Sequence, residues 1–136
     1  RRVLADSYTM YLKTHNYHWN VVGPVFHSLH AMFMEEYTEL SLAVDEVAER
    51  IRALGAPAPG SYRQFSELAT VSEDTDLPDA LEMVRRLVLA HEATVRTIRE
   101  VPPLTESAND QASADLLVRR LDVHEKTAWM LRSILA

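Results

Sequence analysis

The 136-residue chain contains no cysteine and only three glycines. Without cysteine there are no disulfides and no thiolate ligands, so any metal must be held by histidine and carboxylate side chains. Such ligands favour iron, zinc or manganese over copper(I) or an iron–sulfur cluster. The alternating pattern of strands is also scarce, while 47% of the residues are hydrophobic. This balance predicts an all-α protein.

Long apolar runs and an excess of positive charge are also missing. No run of about 18 apolar residues occurs, and the first residues lack the pattern of a signal peptide, so we expect no membrane partner. The net charge of −6 disfavours a nucleic-acid-binding body and favours the attraction of cations. We expect one domain over residues 1–136 and a cytoplasmic location, with nucleoid association as the alternative.

Apolar residues recur every three or four positions, which is the spacing of helices packed in a bundle. The pattern predicts four long helices, over residues 1–22, 25–54, 78–100 and 106–136. More than twenty residues connect the second helix to the third, and residues 61–69 within this connection predict a short extra helix. An up-and-down bundle needs only short loops. One long crossover instead predicts an all-α, ferritin-like four-helix bundle.

Helix ends are marked by residues that favour caps or breaks. Gly23-Pro24 breaks the first pattern, and Ser61 is expected to cap the short helix. Asp76 is expected to cap the third long helix, and Pro102-Pro103 to end it. The periodicity of the third helix turns seven residues inward: Leu81, Val84, Leu87, Val88, His91, Val95 and Ile98.

Four candidate metal ligands lie in one predicted helical hairpin: His18, His30, Asp45 and Glu49. His18 and His30 each lie about one and a half turns from the Gly23-Pro24 break, so antiparallel helices bring the two imidazoles level. Asp45 and Glu49 are four residues apart and leave the same face of the second helix. These ligand types in consistent positions predict a metal site.

One chain alone cannot complete such a site. His30 and Asp45 point within about 60° of each other, but the helix rises roughly 22 Å between them. Two readings stay open from the residues alone. Either the pairs are unrelated half-sites, or a two-fold partner places its Asp45 and Glu49 against His18 and His30 of this chain, which would form two equivalent sites per dimer.

A di-iron site inside one subunit is not expected. Bundles of that kind use Glu-x-x-His on two helices, so that both side chains reach one centre. No histidine of this chain has glutamate three residues before it; the residues there are Leu12, His15, Pro24, His27, Val88 and Leu121.

The segment HWNVVGPVFHSLHAMF, followed by DEVAERIRALG, resembles the Dps proteins, the mini-ferritins of bacteria and archaea. The resemblance covers almost the whole chain, including the short helix in the crossover and the closing HEKTAWMLRSIL. It implies a hollow homo-dodecamer with ferroxidase sites at two-fold interfaces. Histidines His18 and His30 would come from one subunit, and Asp45 and Glu49 from its neighbour.

The implied activity is oxidation of Fe(II), usually by hydrogen peroxide, and storage of the ferric mineral, which protects DNA from oxidative damage. Many relatives have a further aspartate at the position of Met34. A thioether is a poor ligand for hard iron, so we expect one tight and one loose iron position. Trp19 beside His18 is either an interceptor of oxidising equivalents or an interface aromatic. His15 and His27 are expected at the surface or in support of the site.

Family members have acidic pores lined from the start of the last helix. Asp115 matches that position, with Asp110 and Asp122 nearby, although Arg119 and Arg120 are alternative partners for these acids. Two alternative functions stay open: a shell that binds zinc or another divalent ion with little turnover, and a nucleoid-binding structural protein. DNA binding by relatives uses basic tails, and the visible chain has only Arg1-Arg2 at its start, so DNA binding is not supported.

Overall fold

The computed structural model describes all 136 residues, which form six helices and no strands. Four helices are long and two are short, in the order α1 (Arg2–Asn20), α2 (Phe26–Ala53), α3 (Tyr62–Leu68), α4 (Ala80–Arg99), α5 (Pro102–Ser107) and α6 (Gln111–Leu135). None of them is both long and apolar enough to span a membrane.

The long helices pack as two pairs, α1 with α2 and α4 with α6, and α1 also packs against α4. The crossover from α2 to α4 contains α3, which packs on α1. The predicted all-α bundle with one long crossover and a short extra helix is therefore confirmed. Ser61 caps α3 as predicted, since its hydroxyl accepts a hydrogen bond from the backbone N–H of Gln64.

Two predicted helix ends are wrong. The N-cap of α4 is Asp79, whose carboxylate accepts the N–H of Glu82, while Asp76 is bound by the guanidinium of Arg86. The predicted helix 106–136 is two helices, because Asn109 has a φ of 57°. Pro102 follows the end of α4 and also begins α5. A proline is tolerated at this position because the first N–H groups of a helix have no partner within the helix.

A buried carboxylate holds the crossover to the bundle. Asp6 of α1 is fully buried and accepts hydrogen bonds from the N–H groups of Thr70 and Val71, at 2.5 and 3.0 Å. The hydroxyl of Thr97 on α4 donates to the same carboxylate at 2.7 Å. One acid thus ties the crossover, α1 and α4 together.

The apolar core has two main clusters, one toward each end of the bundle. One contains Tyr17, Val21, Leu29, Phe33 and parts of α4 and α6, and the other contains Val3, Leu4, Val47, Phe65, Ile98, Leu116 and Leu117. His91 and His124 lie between them and are buried, as the periodicity of their helices predicts. Leu81 does not face inward as predicted, because it lies in the first turn of α4 and is 42% exposed.

Candidate metal centre

The structure brings His18 and His30 together across the α1–α2 hairpin. Their ring centroids are 3.8 Å apart and the rings are inclined by only 17°. His18 lies two residues before the end of α1 and His30 in the second turn of α2, so the short Val21–Val25 turn places them side by side. We call these two residues the outer histidine pair.

Each ring of the outer histidine pair is held by the backbone of the other residue. Nδ1 of His18 lies 2.7 Å from the carbonyl oxygen of His30, and Nδ1 of His30 lies 2.8 Å from that of His18. A carbonyl only accepts, so both Nδ1 atoms carry the proton. Each neutral ring therefore has its lone pair on Nε2, the tautomer that a metal ligand needs.

Aromatic rings surround the outer histidine pair. Tyr37 lies edge-on to His18 at 5.1 Å between ring centroids and stacks on His15 at 4.1 Å. Trp19 packs on the other side of His15, also at 4.1 Å, and Phe26 stacks on His30 at 4.9 Å. These rings restrict the orientation of both imidazoles from several sides.

The supporting position of His15 is different from that of His27. His15 is partly buried, and burial lowers its pKa, with a smaller contribution from His18. It therefore stays neutral in its stack at neutral pH. His27 is exposed on the first turn of α2. His15 therefore packs beside the outer histidine pair and supports it, whereas His27 lies at the surface.

The predicted carboxylate ligands lie elsewhere on the same chain. Asp45 and Glu49 are both exposed, while the adjacent Glu46 and Arg50 form ion pairs with Arg119 and Asp110. No three histidine, aspartate or glutamate side chains of this chain are grouped to hold a metal ion. The four predicted ligands therefore form two separate pairs within one subunit.

Two further residues near the pair are exposed. Trp19 is 61% exposed and Met34, one turn after His30, is 47% exposed. Large apolar side chains of this kind at the rim of a polar site are common at subunit interfaces.

The three candidate pore acids have different surroundings. Asp110 caps α6 and pairs with Arg50 at 2.7 Å, and its pKa is lowered mainly by hydrogen bonds from Ser113. Asp115 is exposed and accepts only the amide of Gln111, at 2.8 Å. Asp122 is exposed at the edge of a cavity between α2 and α6. Arg119 and Arg120 pair instead with the α2 glutamates Glu46 and Glu39.

Sequence reasoning did not single out Tyr37 or Phe26. The signal for Tyr37 was present, because it lies seven residues after His30, two turns along the same face of α2. Phe26 lies four residues before His30 and so faces the same way. In the sequence alone, both residues fit the apolar periodicity of α2, and nothing marks them as neighbours of a metal site.

The whole chain, residues 1–136, matches the family model described as the ferritin-like domain. A low temperature-induced protein of Nostoc sp. is 45% identical over 134 residues, which cover 97% of this chain and 75% of the relative. The DNA protection during starvation protein of Brevibacillus brevis is 36% identical over 134 residues, covering 98% of this chain and 90% of the relative. The chain is therefore a ferritin-like protein.

Within that class the structural likeness is close. The crystal structure of the Dps protein of Vibrio cholerae O1, described as a ferritin-like diiron-carboxylate protein, matches with a TM-score of 0.94 and 33% identity. The match covers 99% of this chain and 85% of that one. The chain belongs to the Dps family, as its sequence motifs predicted.

Proposed function

We propose that this protein oxidises Fe(II) at sites formed between two-fold related subunits and stores the ferric product in a hollow dodecamer, which protects DNA. The outer histidine pair of one subunit and Asp45 and Glu49 of its neighbour would bind the iron. The observation that carries this proposal is the backbone anchoring of both rings through Nδ1, which in the neutral rings leaves both Nε2 atoms as lone pairs.

The donor set suits the chemistry. Imidazole nitrogen and carboxylate oxygen are common ligands of iron, and hard carboxylate oxygens favour Fe(III) over Fe(II). Two Fe(II) ions give up one electron each, and hydrogen peroxide accepts both electrons with two protons to become two water molecules. Transfer of both electrons at one site avoids release of a hydroxyl radical.

The distances within one chain support a site between subunits. Asp45 and Glu49 lie roughly 22 Å or more along α2 from His30, and they are exposed without an ion-pair partner of their own. A two-fold axis brings each subunit's carboxylates to the other's histidines and thereby forms two sites. Exposed Trp19 and Met34 would then be covered by the partner.

Mixing two inactive variants tests this arrangement directly. One variant carries His18→Ala and His30→Ala, and the other carries Asp45→Ala and Glu49→Ala. We expect each alone to lose peroxide-driven Fe(II) oxidation. Dissociated and reassembled together in equal amounts, they should regain roughly a quarter of the wild-type activity, because half of the random pairs are mixed and each mixed pair has one intact site.

The control is the same mixing of each variant with itself, measured by stopped-flow absorbance near the Fe(III) band with peroxide and then with oxygen. Recovery only in the mixture supports the proposal. If the mixture stays inactive although size-exclusion chromatography shows assembled protein, the intersubunit site is contradicted.

A second candidate is a shell that holds zinc or another divalent ion with little turnover. Met34 favours it, because a thioether beside the site weakens the second iron position. Wild-type oxidation no faster than buffer, together with tight Zn²⁺ binding lost in the His18→Ala/His30→Ala variant, would establish this function instead.

A further inference from the structure

A second group of ionisable residues lies inside the bundle, away from the outer histidine pair. Glu36 of α2, His91 of α4 and His124 of α6 are exposed by only 7%, 2% and 0%. They occupy the level between the two apolar clusters of the core. We call His91 and His124 the inner histidine pair.

Two of these side chains face each other without a partner. Nε2 of His91 lies 3.9 Å from Oε2 of Glu36, which is too long for a hydrogen bond. Neither oxygen of Glu36 nor Nε2 of His91 has a hydrogen bond in the chain. A buried carboxylate and a buried ring nitrogen without partners are strongly unfavourable. We therefore expect a bound ion or water molecule in the gap between them.

A cavity of about 270 Å³ between α2 and α6 reaches this gap. Four carboxylates line it against one ammonium group: Glu35, Glu36, Glu39 and Asp122, with Lys126. Arg120 pairs with Glu39 and Lys126 adds a second positive charge, which leaves two carboxylates in excess. The excess of carboxylates makes the cavity favourable for a cation.

The inner histidine pair can hold the tautomer that such a cation needs. Nδ1 of His91 lies 3.0 Å from Nδ1 of His124, so one ring donates to the other. A proton on Nδ1 of His91 leaves its Nε2 lone pair facing Glu36. His124 then acts as the hydrogen-bond acceptor that orients a metal-binding imidazole.

We propose that Glu36 and His91 bind one first-row divalent cation of the Fe²⁺, Co²⁺ and Zn²⁺ type inside each subunit, with waters from the cavity completing its coordination. Carboxylate oxygen and imidazole nitrogen are ligands that this class accepts at about 2.0–2.2 Å, and an ion between atoms 3.9 Å apart meets both. No third side chain is placed to ligate.

This site is separate from the outer one. Glu36 lies roughly 9 Å along α2 from His30 and about 120° around the helix. The ligands also come from α2 and α4, whereas the outer histidine pair comes from α1 and α2. The inner site therefore does not depend on the proposed ferroxidase activity.

The alternative occupant of the gap is a water molecule. Water would be bound there if the hydrogen bonds through the two histidines run in the opposite direction, from Arg120 toward Glu36. Nη2 of Arg120 lies 3.4 Å from Nε2 of His124. If Arg120 donates there, His124 donates from Nδ1 to His91, and His91 directs an N–H toward Glu36. That N–H and a water would then fill the gap, and no cation would bind.

The test uses the full chain with His18→Ala, His30→Ala and Asp45→Ala, which removes three of the four outer ligands, including both histidines. We expect this protein to bind about one Co²⁺ per chain, followed by calorimetry and visible absorption. Adding Glu36→Gln should weaken this binding at least about 10-fold. Adding Glu67→Gln, an exposed acid on α3 outside the cavity, should leave it unchanged.

A crystal of the triple variant soaked in Co²⁺ keeps the test independent of how Glu36→Gln folds. An anomalous peak between the Glu36 carboxylate and Nε2 of His91 supports the proposal. Co²⁺ peaks only elsewhere, with water between Glu36 and His91, would overturn it, as would equal Co²⁺ binding with and without Glu36→Gln.

Discussion

The two histidine pairs of this protein use the same side chain with different hydrogen-bond partners. In the outer pair, which is partly buried, each Nδ1 donates to a backbone carbonyl at 2.7 or 2.8 Å. In the inner pair the two Nδ1 atoms face each other at 3.0 Å in the middle of the core. The outer rings are thereby restricted to one neutral tautomer, while the inner rings share one proton that can sit on either side.

The difference shows how the partner of one ring nitrogen decides what the other can do. A carbonyl accepts only, so a neutral ring that donates to it from Nδ1 has its lone pair on Nε2. An imidazole donates or accepts, so the direction of the inner contact depends on Glu36 and Arg120 at its two ends. The neutral tautomer of the outer pair is thus set by the backbone before any ligand binds. The tautomer of the inner pair depends on what occupies the gap between His91 and Glu36.

The largest effect is expected from removing the outer histidine pair, compared with removing one residue of the inner pair. His18→Ala with His30→Ala should lower peroxide-driven Fe(II) oxidation at least about 100-fold, because both nitrogen ligands are lost. His91→Leu should change the rate less than about 2-fold, because it lies outside the outer site. Stopped-flow absorbance measures both. A comparable loss of rate in the two variants would contradict the assignment of Fe(II) oxidation to the outer pair alone.

A substitution at Met34 tests whether the second iron position of the outer site lacks a hard ligand. Met34→Asp adds a hard oxygen ligand one turn after His30, so the second Fe(II) equivalent should bind about 10-fold more tightly. Anaerobic Fe(II) titration measures this, with Met34→Leu as the matched control that adds no ligand. Two equally tight equivalents in the wild type would contradict the expectation.

Tyr37 tests whether aromatic packing positions the outer pair. Tyr37→Ala removes the ring that packs against His18 and His15, and Fe(II) binding should weaken by about 3- to 10-fold. Tyr37→Phe keeps the ring and should bind Fe(II) as the wild type does. If Tyr37→Phe is as weak as Tyr37→Ala, the hydroxyl matters rather than the packing.

The smallest effect concerns the pH dependence of stability in metal-free protein. Burial lowers the pKa of His124 well below its usual value, with His91 and Arg120 adding to the effect. The unfolded chain binds this proton near pH 6.5 and the folded chain does not, so its contribution to stability is full above that pH and falls below it. The fall is at most about 1.4 kcal/mol per pH unit.

His124→Gln should therefore lose less stability than the wild type between neutral and mildly acid pH. Denaturant midpoints at equal protein concentration, with chelator present, measure the difference. Parallel pH profiles for the two proteins would show that another group controls the acid sensitivity.

Much of the fold could be predicted because its signals are local. Apolar spacing located all four long helices, and Ser61 marked the start of the short one. The errors occurred at helix ends, where several residues compete. Asp76 and Asp79 are both good caps; in the structure Asp79 caps α4 and Asp76 pairs with Arg86.

The outer pair was also predictable, because a short turn between two helices determines which residues lie level. The ligand role of Asp45 and Glu49 stays a prediction. Tyr37 was missed because a tyrosine in an apolar stripe looks like any core residue. Its packing on His15 depends on how closely α1 approaches α2.

By itself the sequence determined the helices, their order and the meeting of His18 with His30, since these follow from spacing along neighbouring segments. Only the tertiary structure brought Glu36, His91 and His124 together. They belong to three helices separated by 55 and 33 positions, and local periodicity says only that each faces inward. Which inward residues meet is decided by how distant helices pack, and that depends on the shapes of all the side chains between them.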